Sequence, residues 1–157
     1  MAAKTSAALL AYRFEAGSLQ VFLGHMGGPF WQHKDDGGWS IPKGEYDVAR
    51  EQPRDVAHRE FAEEIGVAAP EGDMLDLGVF VQPSGKRIQA YAVRADAPLG
   101  YVVSNTFDLE WPRGSGRITA FPEIDRAEWF PLEQARTKVV KGQIPVLDAL
   151  ADALSAH

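Results

Sequence analysis

The 157-residue sequence predicts one domain, residues 1–157, of α/β or α+β class, with strands and helices packed in layers. Three observations carry that expectation. Apolar segments of strand length recur along the chain, separated by turn-forming residues. One segment in the first half spaces its apolar residues at helical rather than strand intervals. Two further helical stretches close the sequence. The length supports one sizeable hydrophobic core.

The elements follow in order. Ser6 to Phe14 is apolar throughout and reads as a buried strand. Leu19 to His25 forms the second strand, and Glu15-Ala-Gly-Ser supplies the hairpin turn between them. Gly27 to Gly38 is a loop by composition. Trp39-Ser-Ile-Pro-Lys-Gly reads as one short strand. A helix is expected at roughly 53–65: Pro53 suits a first helical position, Ala57, Phe61 and Ile65 recur every four residues, and Gly66 follows as a stop. Met74 to Gln82 and Arg87 to Arg94 are strands joined by the turn Pro83-Ser-Gly-Lys86. Residues 97–122 are rich in turn formers and read as irregular. Ala127 to Phe130 is a last short strand whose Trp129 and Phe130 close the core. Helices follow at about 132–140 and 144–155.

Composition removes several function classes. A net charge of −6 argues against long nucleic acid as a partner, which needs a basic surface. No run of eighteen apolar residues offers a membrane span. The absence of cysteine excludes disulfide and thiol chemistry, and suits a cytoplasmic location. A small phosphorylated ligand remains open, because a cation held in an acidic pocket still attracts phosphates.

The chemistry concentrates in the expected helix. Glu60, Glu63 and Glu64 stand at i, i+3 and i+4, and so share one face. Two such charges about 4 Å apart repel by roughly 4 kcal/mol at an effective dielectric near 20. A hard divalent cation removes that cost, and carboxylate oxygens are what it prefers. The plain alternative is a solvated acidic face neutralised by Arg54 and Arg59, in surface pairs contributing about 0–1 kcal/mol each.

The surroundings of these glutamates resemble the Nudix box. Gly44, Glu51, Arg59, Glu60, Phe61, Glu63, Glu64, Gly66 and Val67 fall in that motif's order. Seven residues separate Glu51 from Arg59, as in the motif, but six separate Gly44 from Glu51, one more than usual. The extra residue lies in a loop, where insertions are tolerated. Aligned without it, Arg50 would take the place of Glu51. The resemblance implies an α/β/α sandwich around a mixed curved sheet. It also implies a Mg²⁺- or Mn²⁺-dependent pyrophosphohydrolase that cleaves a phosphoanhydride in a nucleoside diphosphate linked to another moiety. Dinucleoside polyphosphates or related nucleotides are the favoured substrates. The alternatives are a nucleoside triphosphate-sanitising enzyme, a nucleotide-sugar hydrolase and a non-catalytic nucleotide-binding module. Some Nudix proteins pair, so a homodimer is possible.

Residue by residue, the resemblance makes Glu60, Glu63, Glu64 and the backbone of Gly44 the metal ligands, with Arg59 and Glu51 orienting them. Gly44 also permits backbone conformations closed to other residues. Lys43, in the Trp39-Ser-Ile-Pro-Lys-Gly entry, is placed to hold a phosphate. Trp31, His33 and Lys34 combine rings and charge suited to a base beside phosphates. Lys86 and Arg117 are further substrate candidates, the latter on a glycine-rich segment that would form a lid. Phe121-Pro-Glu-Ile-Asp resembles the segment that supplies one more acid from outside the box. Glu123 is the choice for that ligand or general base, and Asp125 the rival.

Overall fold

The computed structural model describes residues 4–155. Its elements are β1 (Thr5–Glu15), β2 (Ser18–Met26), β3 (Trp39–Ser40), β4 (Lys43–Glu45), α1 (Pro53–Ile65), β5 (Met74–Val81), β6 (Arg87–Arg94), β7 (Thr106–Glu110), β8 (Ile118–Pro122), β9 (Ile124–Pro131), α2 (Leu132–Lys138) and α3 (Ile144–Ser155). A 3-10 turn, Lys141–Gln143, leads into α3.

β1 is the axis of the sheet. It pairs antiparallel with β2 and β4, and parallel with β6. β5 continues the sheet beyond β6, and β9 lines up along β2. One parallel pairing among antiparallel ones makes the sheet mixed. Being central, β1 buries both faces, which explains its unbroken apolar run. Ala8 and Leu10 pack with Ala135 of α2 and Val146, Leu147 and Leu150 of α3. Ala7, Leu9 and Ala11 pack with Val56, Ala57, Phe61 and Ile65 of α1. The layers are therefore α1, sheet, then α2 with α3: the expected α/β/α sandwich. Trp129 and Phe130 point to opposite faces and close both cores, against Phe22 and Trp39 respectively. Among the described residues no helix is long and apolar enough to cross a membrane.

α1 begins at Pro53, whose missing N–H costs nothing at that position. It ends at Gly66, in the left-handed region at φ 86°, where the Gly66 N–H bonds the Ala62 carbonyl at 2.8 Å. An alanine there would also bring Cβ within 2.4 Å of the Val103 carbonyl oxygen.

Four expectations are corrected. The stretch 39–44 is not one strand: β3 pairs with β2, β4 pairs with β1, and the chain steps between them at Ile41-Pro42. Pro42 cannot donate to a ladder, and the Ile41 N–H is taken by the Gln143 side chain. Residues 97–122 are not wholly irregular, because β7 and β8 form a separate two-stranded sheet. Phe107 and Leu109 alternate there with polar residues, a short signal hidden by the glycines and proline of the turn. The last strand is longer than Ala127–Phe130, since β9 follows β2 along its length. α2 stops at Lys138, and Val139 turns extended to bridge Trp39.

Candidate active site

α1 turns its apolar stripe into the sheet, and the helical repeat then places Glu60, Glu63 and Glu64 towards β4 and the segment Ser104–Thr106. Arg59 holds the cluster from outside. Its Nη1 donates to Glu51 at 2.9 Å, and its guanidinium lies 3.8 Å from both Glu60 and Glu63. Arg59 keeps its proton more firmly than usual, chiefly through the bond to Glu51. That same bond holds Glu51 below the ordinary carboxylate range. Glu51 reaches Arg59 because Asp47 heads a tight turn: Asp47 Oδ1 accepts from Ala49 N–H, and the Asp47 carbonyl accepts from Arg50 and Glu51. The turn absorbs the extra loop residue. Arg50 points away, against Asp47 at 3.6 Å.

β4 passes so close to α1 that a side chain at Gly44 would displace the Glu60 carboxylate. A Cβ on Gly44 would stand 2.1 Å from Glu60 Cδ and 2.3 Å from its Oε2. Gly44 is not among the glycines at positive φ, so what a glycine provides here is room for the Glu60 carboxylate rather than the conformational freedom expected from the sequence. Beside it, the Lys43 N–H points at Glu64 Oε2 at 3.4 Å.

A further acid comes from the far side. Glu123 sits between β8 and β9 and is pinned by its backbone: its N–H donates to the Asn105 carbonyl at 2.8 Å, and its carbonyl accepts from Gly27 at 3.0 Å. Asn105 in turn donates its N–H to the Glu63 carbonyl at 3.0 Å, which ties this segment to α1. The buried Ser104 hydroxyl accepts from Ile124 N–H at 3.1 Å, fixing the start of β9. Asp125 is occupied elsewhere, bonded at 2.8 Å to Nδ1 of the fully buried His25.

These groups line a cleft of two chambers. The outer, about 410 Å³, is bounded by Ser6, Lys43, Gly44, Glu45, Glu60, Glu64, Asn105, Thr106 and Glu123. The inner, about 310 Å³, shares Lys43, Glu64 and Glu123 with it and adds Met26, Ser40, Gln82, Ile124, Val140 and Gln143. Glu64 is the junction. Burial, reinforced by Glu60 and Glu123 and only partly offset by Lys43, pushes its carboxyl up to about 8. Glu60 is raised too, by burial first and then by Glu63. Carboxyls that strain to stay ionised at neutral pH are the groups a cation stabilises most. Among the described residues no cluster of three His, Asp or Glu side chains forms a ready-made cage. Mg²⁺ needs none: it binds through one or two carboxylates, keeps several waters and completes its shell with substrate phosphates. The donor set of Glu60 and Glu64, all hard oxygen, fits that ion.

The family model for the NUDIX domain matches residues 5–150, nearly the whole chain. The chain belongs to the Nudix family. Among curated proteins, an ADP-ribose pyrophosphatase of Mycobacterium tuberculosis is 27% identical over 120 residues, which cover 76% of this chain and 51% of that protein. The chain thus spans about half the length of the curated relative it matches. Among solved structures, a C. elegans Ap4A hydrolase binary complex superposes with a TM-score of 0.65 at 18% identity, over 97% of this chain and 99% of that one. The NUDIX domain of Shewanella oneidensis NrtR, solved with ADP ribose, gives 0.65 at 14% identity, over 98% and 90%. At such identities the likeness is one of fold.

Within this Nudix chain the expected residues divide cleanly. Lys43, Gly44, Glu60, Glu64 and Glu123 line the cleft, and Glu63, Arg59 and Glu51 border it. Trp31, His33, Lys34, Lys86 and Arg117 are not among its lining residues. The loop carrying the first three is drawn towards α2: Lys138 bonds Asp35 at 2.6 Å, Gly37 N–H bonds the Thr137 carbonyl, and His25 Nε2 lies 2.5 Å from the Lys34 carbonyl. Lys34 instead stands over the Trp31 ring at 5.1 Å. Lys86 lies 3.9 Å from Glu45 at the rim, and Arg117 is exposed at the foot of the β7–β8 hairpin turn. Sequence reasoning missed Asn105, Gln82, Ser40 and Gln143. Gln143 is wholly buried, accepts from Ile41 N–H at 2.8 Å and donates to Ser40 Oγ at 2.9 Å. Its partners lie about a hundred residues away in sequence, and no local pattern announces such a bond.

Proposed function

We propose that this protein is a divalent-metal-dependent pyrophosphohydrolase acting on a nucleoside diphosphate joined to a second group, a class that includes ADP-ribose and dinucleoside polyphosphates. One observation carries the reading: the part-buried Glu64, its carboxyl raised to about 8, stands where Glu60, Glu123 and Lys43 converge on one cleft. The family, and relatives named for ADP-ribose and Ap4A, support the same class.

Glu60 and Glu64, with Glu63 at their edge and the Gly44 backbone alongside, would hold Mg²⁺ or Mn²⁺. Bound there, the cation supplies Lewis acidity towards the phosphate oxygens and the attacking water. The chain does the rest. Arg59, anchored by Glu51, fixes the glutamate side chains so that little reorganisation is needed at reaction. Lys43 holds the diphosphate as a point charge at the junction of the chambers. Glu123, facing the box acids across the cleft, takes the proton as water oxygen attacks phosphorus. The new P–O bond forms as the anhydride P–O bond opposite breaks, and the leaving phosphate departs with the electron pair. Two phosphorylated products result.

The test is a panel of ADP-ribose, diadenosine polyphosphates, nucleoside triphosphates and sugar nucleotides assayed with Mg²⁺ and Mn²⁺. Wild type should cleave members of the first two groups, and Glu63→Gln with Glu64→Gln should cut kcat at least about a hundredfold while circular dichroism stays unchanged. Undiminished turnover in the double variant removes the assignment. Tight nucleotide binding without product under either ion would make the protein a binding module instead.

A further inference from the structure

We propose that the inner chamber seats the nucleobase of the substrate, that the base is adenine, and that the Gln82 amide reads its amino edge. The proposal rests on the diphosphate lying at Lys43 as described above.

The inner chamber differs from the outer in chemistry. Its apolar lining comes from Met26, Ile124 and Val140, and at about 310 Å³ it falls within the range of small-ligand sites. A methionine thioether against an aromatic ring is a favourable contact. Its charged residues, Lys43, Glu64 and Glu123, are the ones it shares with the outer chamber, so they mark the mouth through which a diphosphate would pass.

The uncharged polar groups are three, and two are committed. Gln143 is spent on Ile41 N–H and Ser40 Oγ, and Ser40 donates to the Ile41 carbonyl at 2.9 Å. Gln82 follows β5, and its backbone is fixed by a bond from its N–H to the Lys86 carbonyl at 2.8 Å. Its side chain lies over Gly142, where a Cβ would come 3.2 Å from Gln82 Cγ and 3.5 Å from Nε2. Among the described residues no hydrogen bond engages the amide of Gln82. A carboxamide offers one acceptor and one donor side by side. Adenine presents the complementary pair, N6 amino and N7, which Gln meets with two bonds. Guanine shows two acceptors on that edge and calls for Arg or Lys. Among the described residues no arginine lines the chamber, and Lys43 stands at its mouth.

The test compares ADP-ribose with its inosine counterpart, which carries oxygen in place of the 6-amino group, and with cytidine diphosphate ribose. Calorimetric Kd values are taken with Mg²⁺ in a Glu123→Gln background, which keeps the proposed cation-holding glutamates and slows turnover, and KM and kcat with Mg²⁺ in the otherwise native chain. Wild type should favour the adenine compound about tenfold or more over the inosine one. Gln82→Leu should erase that preference through Kd and KM, leaving kcat within about twofold of wild type, because the amide touches no reacting atom; Gln82→Glu, which still accepts from the 6-amino group but repels the inosine oxygen, should keep it. Gly142→Ala, whose Cβ would stand 3.2 Å from Gln82 Cγ, should erode the preference in part. An adenine preference that survives Gln82→Leu overturns the proposal, as does equal binding of the cytidine compound or no binding of ADP-ribose to the folded protein. The two readings fail separately. Gln82-dependent binding without turnover keeps the base site and removes the hydrolase, whereas turnover indifferent to Gln82 does the reverse.

Discussion

Glu64 links the site to stability, and pH is the perturbation that reads it. In the folded chain its carboxyl is raised from 4.5 to about 8, first by burial. The proton is therefore held more tightly in the fold than in the unfolded chain. The stability this group supports is fully present below about pH 4.5 and is lost as pH rises towards 8, where the carboxylate must ionise in a part-buried, poorly solvated site. Raising the carboxyl from 4.5 to about 8 sets a ceiling near 5 kcal/mol, at about 1.36 kcal/mol for each tenfold change in proton affinity. Water reaching the carboxyl from the cleft screens part of this, which leaves a working value of about 2–3 kcal/mol. For a domain of this size that is about 5–10 °C in Tm. Thermal unfolding in EDTA at pH 5 and pH 8.5, wild type against Glu64→Gln, isolates the term, because other groups titrate in both proteins. Wild type should lose about 5–10 °C more than the variant over that interval. Mg²⁺ should restore more stability at pH 8.5 than at pH 5, since it competes with the proton. Parallel pH curves for the two proteins would refute the reasoning.

Gly44→Ala should cost about a hundredfold or more in kcat/KM, because clearing the clash at 2.1 Å displaces the Glu60 carboxylate by an ångström or more. Its Tm should fall little, since a flexible side chain is what must move. Glu51→Gln should lower kcat/KM about tenfold by freeing Arg59, whereas Arg50→Ala should leave it unchanged. Equal effects from the two would mean that the loop is threaded the other way. Gln143→Leu leaves the Ile41 N–H unpaired in the core and should cost about 1–3 kcal/mol in chemical denaturation.

What the sequence disclosed is what the chain builds locally. Glu60, Glu63 and Glu64 share a face because the helical repeat makes them, and Arg59 and Gly66 belong to the same short segment. The strands of the sheet were legible where burial was continuous, as in β1, or where a turn was compact, as between β1 and β2. The β7–β8 hairpin escaped because β7 only half-buries alternate residues, β8 is exposed over its first three, and the turn is built from glycine and proline. Where Trp31, His33 and Lys34 lie was not legible, for a related reason. Aromatic and cationic residues suit a ligand equally well wherever the loop lies, and bonds from Lys138 and Thr137 decide where it lies.

The step at Ile41-Pro42 connects these observations. Had residues 39–44 formed one strand, Lys43 and Gly44 would have extended the ladder on β2, away from α1. Pro42 ends the ladder, Gln143 supplies the partner that Ile41 then lacks, and β4 is free to cross to β1. That crossing brings Gly44 against Glu60 and opens the inner chamber between β2, β9 and the turn before α3. A residue from the C-terminal turn thus sets the spacing between the box acids and the entry strand. The cleft is a product of the whole fold even though Glu60, Glu63 and Glu64 come from one helix, so repositioning β4 should disable the site as surely as removing a carboxylate.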